Sequence, residues 1–135
     1  MEKDKTCKIV FSDIDGTLLT SDGQITEGTK EMILNIENKG IPFILTSARS
    51  PEGVRVIKRM LGNHAPIIAF CGGLILDDDG NEIYSKRILL KRALELKAML
   101  DKDFPAVACN TFGGEKWIVD DRDDWREQRE EKIVG

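Results

Sequence analysis

Three apolar segments alternate with two segments of helical spacing in the first half of this chain. We expect residues 9–13, 41–46 and 66–70 to form buried strands, because each is a short, continuous apolar run. Residues 26–40 and 50–62 carry apolar side chains at the three- and four-residue spacing of one helix face. This β-α-β-α-β order predicts an α/β fold with a parallel sheet and right-handed crossovers.

The ends of both predicted helices carry local sequence signals. Thr26 and Ser50 each provide a side-chain oxygen that can accept a hydrogen bond from a free amide of the first turn. Pro51 suits the first helical position, where no amide donor is needed. Gly40 and Gly62 can adopt the left-handed conformation that commonly ends a helix, so we expect the helices to end near them.

The pattern changes after residue 73. Two apolar segments, 74–76 and 82–84, flank residues 77–81 (DDDGN), in which Asp-Gly predicts a β-hairpin. The three aspartates lack the D-x-D-x-D-G spacing and the distal glutamate of a calcium loop, so we interpret them as a solvated turn. We also interpret His64 as a turn residue rather than a base, because no carboxylate lies near it in sequence.

The last third of the chain predicts further helices and strands. Leu89, Ala93, Leu96 and Leu100 fall on one face of a helix that ends before Pro105. The remaining elements are expected to be strands at 106–112 and 116–120 and a charged, partly helical segment at 121–132.

The composition limits the class of protein. The 135 residues carry 20 basic and 24 acidic side chains, a net charge of −4, so no basic surface recommends a nucleic-acid partner. No run approaches the roughly 18 apolar residues of a membrane-spanning helix. Residues 1–5 are too charged to begin the apolar region of a signal peptide. Cys7, Cys71 and Cys109 lie far apart and form no zinc-binding pair, which indicates reduced thiols and a cytoplasmic location.

Two carboxylates, Asp13 and Asp15, stand one residue apart where the first strand ends. Side chains at i and i+2 of an extended segment point the same way, so both can face one site. Like charges this close repel, and a hard cation such as Mg²⁺ relieves the repulsion. Gly16 permits a sharp turn after them, and Thr17 adds a hydroxyl and a backbone N–H. Mg²⁺-dependent phosphoryl chemistry is the leading interpretation, and an ordinary aspartate-rich turn is the alternative.

Ser47 is expected at the same edge of the sheet as Asp13. In doubly wound sheets, ligands bind beyond the carboxyl ends of the strands, and both residues fall at such ends. The Ser47 hydroxyl and the free N–H groups of the helix that begins near Ser50 can meet an anion there. Arg49 either contacts that anion or forms a surface ion pair.

At these residues the sequence resembles the haloacid dehalogenase-like phosphohydrolase superfamily. Residues 13–17 (DIDGT) match its first motif, D-x-D-G-T, and Ser47 matches its second, a Ser or Thr at the end of the next strand. The resemblance implies that Asp13 is the nucleophile that forms an aspartyl-phosphate, and that Asp15 is first the general acid and then the base. It also implies that the Asp13 carboxylate and the Asp15 backbone carbonyl hold Mg²⁺. The residues assigned to phosphate binding are Gly16, Thr17, Ser47 and Arg49.

Two further segments resemble the Cof-like branch of that superfamily, which carries a type IIB cap. Residues 44–49 (ILTSAR) resemble its T-G-R segment, with Ala48 in place of Gly. Residues 70–75 (FCGGLI) resemble its N-G-A-hydrophobic segment, with Cys71 in place of Asn. In that branch the following hairpin precedes a large α/β cap inserted into the core.

The resemblance implies a division of the chain into two parts. Residues 1–88, including the hairpin, would be the first half of a Rossmann-like core, and residues 89–135 would be the first part of an α+β cap. Members of the branch are longer, and their remaining half carries the Lys of a third motif and the acids of a fourth. Residues 117–124 (WIVDDRDD) look like a strand followed by acids, but they follow a cap-like helix and hairpin, so we interpret them as a charged cap surface.

The chain is therefore expected to be a front half: a fragment, a truncated reading frame, or a protein completed by another chain. Unfinished sheet and cap edges would favour a homodimer. The leading hypothesis for function is a Mg²⁺-dependent phosphohydrolase that acts on small phosphorylated metabolites. One alternative is a catalytically incomplete module that binds metal, phosphate or a partner without turnover. Another is a receiver-type phospho-acceptor domain, against which the D-x-D on one strand and the cap-like tail argue.

Overall fold

The computed structural model describes residues 7–114 and 116–134, so residues 1–5, on which the signal-peptide prediction rests, lie outside the described part. The chain forms two compact units, Met1–Ser85 and Lys86–Gly135. The elements of the first unit are β1 (Val10–Asp13), α1 (Glu27–Glu37), β2 (Phe43–Thr46), α2 (Pro51–Leu61), β3 (Ile67–Ala69), β4 (Leu74–Leu76) and β5 (Glu82–Ser85). Those of the second are α3 (Leu90–Asp103), β6 (Thr111–Gly113), β7 (Lys116–Ile118) and α4 (Trp125–Val134).

The first unit is an α/β structure, as predicted. Its five strands lie in the order β1-β2-β3-β4-β5. The pairs β1–β2 and β2–β3 are parallel, whereas β3–β4 and β4–β5 are antiparallel. The parallel strands are joined by helical crossovers, and the antiparallel β4–β5 pair confirms the hairpin predicted around residues 77–81.

The first strand is parallel but not buried, which corrects the prediction for residues 9–13. Among the described elements β1 lies at an edge of the sheet, with β2 as its neighbour. Phe11 is 55% exposed and Ile9 is also exposed. A continuous apolar run indicates burial on both faces, but a strand at an edge is covered less completely than a central one.

The core of the first unit lies against the helices and the inner strands. Ile14, Leu45, Val54 and Leu61 are at most 1% exposed and belong to one cluster of packed apolar side chains. Leu45 lies on β2, whereas Val54 and Leu61 lie on one side of α2. Ile14 follows β1 directly, so the loop between the two candidate acids is anchored in the core.

The predicted helix signals act as expected, with one shift. The hydroxyl of Ser50 accepts a hydrogen bond from the Gly53 N–H at 3.3 Å, and Gly62 ends α2 with φ of 72°. At α1 the Thr26 hydroxyl accepts from the first turn, but the helix already ends at Glu37, with Asn38 as its C-cap. Gly40 is left-handed and lies beyond that end.

The second unit buries little apolar surface. Its two strands form an antiparallel pair that is shorter than the predicted 106–112 and 116–120, and α4 confirms a helix in the charged tail. The helix α3 buries none of its residues fully. Of the predicted apolar face, Leu89 and Leu96 are exposed, whereas Ala93 and Leu100 are half-buried. A two-stranded ribbon with one helix offers too small a surface to enclose that face. Within residues 7–114 and 116–134, no helix combines the length and apolar character needed to cross a lipid bilayer.

A core substitution tests this description. Leu61→Ala should lower the free energy of unfolding by about 2–5 kcal/mol, because it leaves a cavity at a fully buried position of α2. Met32→Ala is the matched control: it also shortens a helical apolar side chain, but at a position that is 61% exposed, and should change stability by less than about 0.5 kcal/mol. Urea unfolding followed by far-ultraviolet circular dichroism measures both, and equal losses would contradict the assigned core.

Candidate active site

Parallel pairing brings the first two motif regions to one edge of the sheet. Asp13, the last residue of β1, is the register partner of Thr46, the last residue of β2. Ser47 follows directly, and its N–H donates to the Ile68 carbonyl of β3 at 3.0 Å. The carboxyl ends of adjacent parallel strands are where α/β sheets bind their ligands. The structure therefore places Asp13 and Ser47 at the edge that the sequence predicts.

The loop after β1 folds back on a single buried residue. The Ile14 carbonyl accepts hydrogen bonds from the N–H groups of Leu18 at 3.0 Å and Leu19 at 3.1 Å. Gly16 has φ of 73°, a left-handed value that would strain any other residue type. Because the Ile14 side chain is in the core, the acids on either side of it project to the surface, where both are exposed.

Asp13 has a hydroxyl neighbour within the same loop. The Thr17 hydroxyl donates to the Asp13 Oδ2 at 3.4 Å, a long contact that places the hydroxyl beside the carboxylate. The sequence assigned Thr17 to phosphate binding, and in this structure it faces the candidate nucleophile. A hydroxyl in that position can contact both the carboxylate and an oxyanion held next to it.

Asp15 forms a bidentate ion pair with Arg49. The guanidinium donates from Nε to Oδ2 at 2.9 Å and from Nη2 to Oδ1 at 2.7 Å. The Arg49 side chain is 9% exposed and that of Asp15 is 55% exposed, so the pair lies at the surface with the guanidinium held beneath. These hydrogen bonds hold the pKa of Asp15 below its ordinary value of 3.8, although partial burial opposes them. Of the two predicted roles for Arg49, the ion pair is the one that is observed.

Ser47 is buried and held by the turn that starts α2. Its hydroxyl accepts a hydrogen bond from the Arg49 N–H at 3.1 Å, and the side chain is 6% exposed. A hydroxyl also carries a proton that it can donate. The first turn of α2, capped by Ser50, follows within a few residues, and its free amides favour an anion.

A strained segment lies next to Ser47 and was not predicted from the sequence. Phe70 and Cys71 have φ of 50° and 54°, in the left-handed region that bulky residues avoid. The Cys71 N–H donates to the Ser47 carbonyl at 2.9 Å, and the Phe70 N–H donates to the Arg49 carbonyl at 3.0 Å. Strain of this kind is characteristic of functional sites. One signal in the sequence could have indicated it: Cys71 stands where the N-G-A segment of the Cof-like branch has Asn, a residue that adopts the left-handed conformation more readily than most.

The oxygen atoms near Asp13 suit a Mg²⁺ ion that is held by only one or two protein ligands. The Asp13 carboxylate and the Asp15 backbone carbonyl are oxygen ligands of the type that Mg²⁺ prefers. The Asp15 carboxylate is engaged by Arg49. In the part of the chain that the structure describes, no group of three or more His, Cys, Asp or Glu side chains could hold a metal ion. Mg²⁺ commonly binds through one or two carboxylates together with waters and substrate phosphate, so the donor set fits this cation.

The acidic turn at 77–81 forms ion pairs. Asp78 accepts from the Lys58 Nζ at 2.5 Å, and its other oxygen lies 3.4 Å from the His64 Nδ1. The hydrogen bond from Lys58 lowers the pKa of Asp78. His64 therefore has a carboxylate neighbour in space, although none is near in sequence, and it lies outside the candidate active site.

The chain belongs to the haloacid dehalogenase-like hydrolase family, whose model matches residues 10–134. A candidate phosphatase of Haemophilus influenzae is 36% identical over 124 residues, which cover 85% of this chain and 47% of that protein. A haloacid dehalogenase-like hydrolase from Bacteroides thetaiotaomicron superposes with a TM-score of 0.84 at 21% identity, over 96% of this chain and 49% of that one. A candidate Cof-like hydrolase from Plasmodium vivax superposes with a TM-score of 0.66 at 19% identity, over 82% of this chain and 41% of that one.

These comparisons confirm the family resemblance of the sequence, and the structural ones show that the fold is shared with Cof-like proteins. The chain spans about half the length of the curated relatives it matches. The activity of the whole protein is therefore a matter for proposal, and so are the roles of the individual site residues.

Removal of the guanidinium tests the electrostatics of the Asp15 pair. Arg49→Gln should raise the carboxyl pKa of Asp15 toward its ordinary value, because the hydrogen bonds that favour the charged form are lost. Because the pKa of Asp15 is lower in the folded protein than its unfolded value of 3.8, the ion pair stabilises the fold at pH values above 3.8. This stabilisation is lost as the pH falls through the pKa of the folded state. The stability difference between the two proteins should therefore shrink in acid.

Carbon-13 NMR titration of the Asp15 carboxyl and urea unfolding at several pH values measure these effects. Arg59→Gln is the control, because Arg59 pairs with Glu52 instead, at 2.8 Å. An Asp15 pKa that does not move in Arg49→Gln, or moves equally in both variants, would contradict the assignment.

Proposed function

We propose that this chain carries the nucleophile, the acid–base group and part of the phosphate site of a Mg²⁺-dependent phosphohydrolase for small phosphorylated metabolites. The observation that carries the proposal is the D-x-D-G-T segment at the carboxyl end of β1, with Ser47 at the end of the adjacent parallel strand. Family membership supports hydrolysis, and the name of the Haemophilus influenzae relative supports phosphate esters.

Asp13 is the proposed nucleophile because its carboxylate is exposed at the strand end, with the Thr17 hydroxyl beside it. One carboxylate oxygen attacks phosphorus and forms an aspartyl-phosphate as the bond to the leaving oxygen breaks. Asp15 donates a proton to that oxygen and then accepts one from the water that hydrolyses the intermediate. Mg²⁺, held by the Asp13 carboxylate and the Asp15 carbonyl, would supply positive charge to offset that of the phosphoryl oxygens.

Arg49 is proposed to exchange partners when a phosphate enters the site. A guanidinium binds phosphate through the same bidentate geometry that it now makes with Asp15. When the guanidinium leaves Asp15 for the phosphate, the pKa of Asp15 would rise. A higher pKa favours the protonated form, which a general acid needs. The resting ion pair thus keeps Asp15 charged, and the substrate would change that state.

The proposal also includes the division of the chain, its location in the cell and its association with a second copy. Residues 1–88 are proposed to be the first half of the core and residues 89–135 the beginning of a cap. A cytoplasmic location agrees with the free thiols of Cys7, Cys71 and Cys109. Association as a homodimer through sheet or cap edges remains a prediction, and a solution mass equal to one chain would count against it.

A second candidate function is a module that binds phosphate or Mg²⁺ without turnover. The observation that favours it is the ion pair of Asp15 with Arg49, which holds the proposed acid in its charged form. A site with one free carboxylate should bind the cation weakly and depend on the phosphate to complete its shell.

Hydrolysis of p-nitrophenyl phosphate with Mg²⁺ tests the first candidate. Asp13→Asn should reduce the rate to the uncatalysed background, because an amide cannot displace the leaving group. Asp15→Asn should reduce it by about 10²–10⁴-fold, the range expected for loss of general acid–base catalysis. Asp79→Asn, which removes the same charge from the exposed hairpin turn, is the control and should leave the rate unchanged. Turnover that survives Asp13→Asn would overturn the mechanism.

Binding of inorganic phosphate separates the two candidates. Amide NMR signals of Ser47 and Gly53 should shift on addition of phosphate with Mg²⁺, because both lie at the turn that begins α2. Binding without hydrolysis by the unmodified chain would favour the second candidate. If the chain neither binds phosphate nor hydrolyses the ester, both candidate functions are excluded for this chain.

A further inference from the structure

Glu127 is a buried carboxylate without a partner. It is 4% exposed and is the only residue classed as buried among the described residues of the second unit. Neither carboxylate oxygen has a hydrogen-bond partner in the described structure. An isolated buried charge is costly, so such groups are paired with a cation or neutralised by a proton.

Local helix capping does not explain this side chain. Asp124 directly precedes α4, and its carbonyl accepts from the Gln128 N–H at 3.1 Å. Glu127 stands three residues later. A glutamate at that position usually accepts from the backbone N–H of the capping residue. Here the Asp124 N–H donates to the Asp121 carbonyl at 3.2 Å instead. The Glu127 carboxylate is therefore not used by the capping box.

The neighbouring cation along the chain is also engaged elsewhere. The Arg126 guanidinium donates to the Asp124 carboxylate at 2.5–3.2 Å and to the Ala106 carbonyl at 2.7 Å. The ion pair with Asp124 raises the pKa of Arg126, and the negative charge of Glu127 contributes least to that shift. Glu127 thus lies in the field of a cation that is hydrogen-bonded to other groups.

A cavity of about 320 Å³ lies beside Glu127. It is lined by Trp117, Val119, Arg122, Glu127 and Glu131. These residues carry one positive and two negative formal charges, a net charge of −1. The Arg122 guanidinium lies 3.7 Å from Glu131, with its side chain 86% exposed, so the positive charge is at the solvent side. An anion would meet net repulsion in this cavity.

The Trp117 ring is fixed in the wall of this cavity. Its indole N–H donates to the Asn110 side-chain oxygen at 2.7 Å. Phe112 stacks on it with ring centroids 6.1 Å apart and planes 9° from parallel. An indole ring held in one orientation attracts cations through its electron-rich face. The cavity thus has an apolar and aromatic wall, and the unpaired carboxylate of the lining residue Glu127 is buried, with both oxygens shielded from solvent.

From these contacts we infer that the cavity binds a small organic cation with an ammonium group, for which Glu127 is the counter-charge. A rotation of the Glu127 side chain, which no hydrogen bond to its carboxylate opposes, would bring the carboxylate to an ammonium in the cavity. The alkyl part of that ligand can contact Val119 and Trp117. A bare metal ion fits less well, because hard cations such as Mg²⁺ prefer oxygen ligands and the Trp117 and Val119 side chains supply none. All five lining residues belong to the unit Lys86–Gly135, so the inference does not depend on the proposed phosphatase function.

Titration of the full chain with n-butylammonium chloride tests the inference. The indole N–H signal of Trp117 reports binding in proton–nitrogen NMR spectra, and a Trp125→Phe variant identifies it, since Trp125 is exposed. The signal should shift saturably with n-butylammonium, whereas n-butanol, which has a similar shape and no charge, should give no saturable shift.

Two charge-removing variants of α4 complete the test. Glu127→Gln keeps the size of the side chain and should weaken n-butylammonium binding at least about tenfold, because the buried counter-charge is lost. Glu130→Gln removes the same charge from an exposed position of the same helix and should change the affinity less than about twofold. Circular dichroism establishes that both variants are folded.

Three results would overturn the inference. Equal affinity in Glu127→Gln and the unmodified chain would show that the carboxylate is not the counter-charge. Saturable binding of n-butanol with the same affinity would show an apolar cavity without charge selection. A matching Trp117 shift at lower concentrations of MgCl₂ would assign the cavity to an inorganic cation. The comparison of n-butylammonium with n-butanol needs no variant, so it decides the matter even if Glu127→Gln fails to fold.

Discussion

The parallel pairing of β1 with β2 determines where the candidate active site of this chain lies. It sets Asp13 opposite Thr46, so that Ser47 and the first turn of α2 follow at the same edge of the sheet. The burial of Ile14 then fixes the loop that carries both acids, since exposure of such a side chain would cost about 1.5–3 kcal/mol. The β1–β2 pairing and the buried Ile14 thereby position Asp13 and Asp15, whose own side chains are exposed.

The edge is further organised by contacts that link its loops. Arg49 holds the Asp15 carboxylate through its side chain, supports Ser47 through its N–H and accepts from Phe70 through its carbonyl. The left-handed backbone at Phe70 and Cys71 is maintained by such contacts, because strain of about 1–3 kcal/mol persists only where the surroundings enforce it. Arg49 thus connects the acid, the hydroxyl and the strained segment. The proposed exchange of partners by its guanidinium therefore acts on Asp15 through an observed ion pair.

Much of the fold and part of the site could be predicted from the sequence, for reasons that differ by element. Helix caps such as Ser50 and the Asp-Gly hairpin turn are local, so a few residues specify them. The exposure of Phe11 was not predictable, because it depends on which strands flank β1. The pairing of Asp15 with Arg49 joins residues that are distant in sequence, and the isolation of Glu127 depends on what its neighbours bind instead. The motif thus indicated the candidate groups, while their partners required the three-dimensional structure.

Covalent trapping of Asp13 tests the proposed chemistry most directly. After the chain is mixed with a phosphorylated substrate and Mg²⁺, borohydride reduction converts an aspartyl-phosphate to homoserine, which peptide mass spectrometry can locate. We predict homoserine at position 13, dependent on substrate, and none at position 15. Substrate hydrolysis without homoserine at position 13, or with homoserine at another acid, would contradict the assignment of Asp13 as nucleophile.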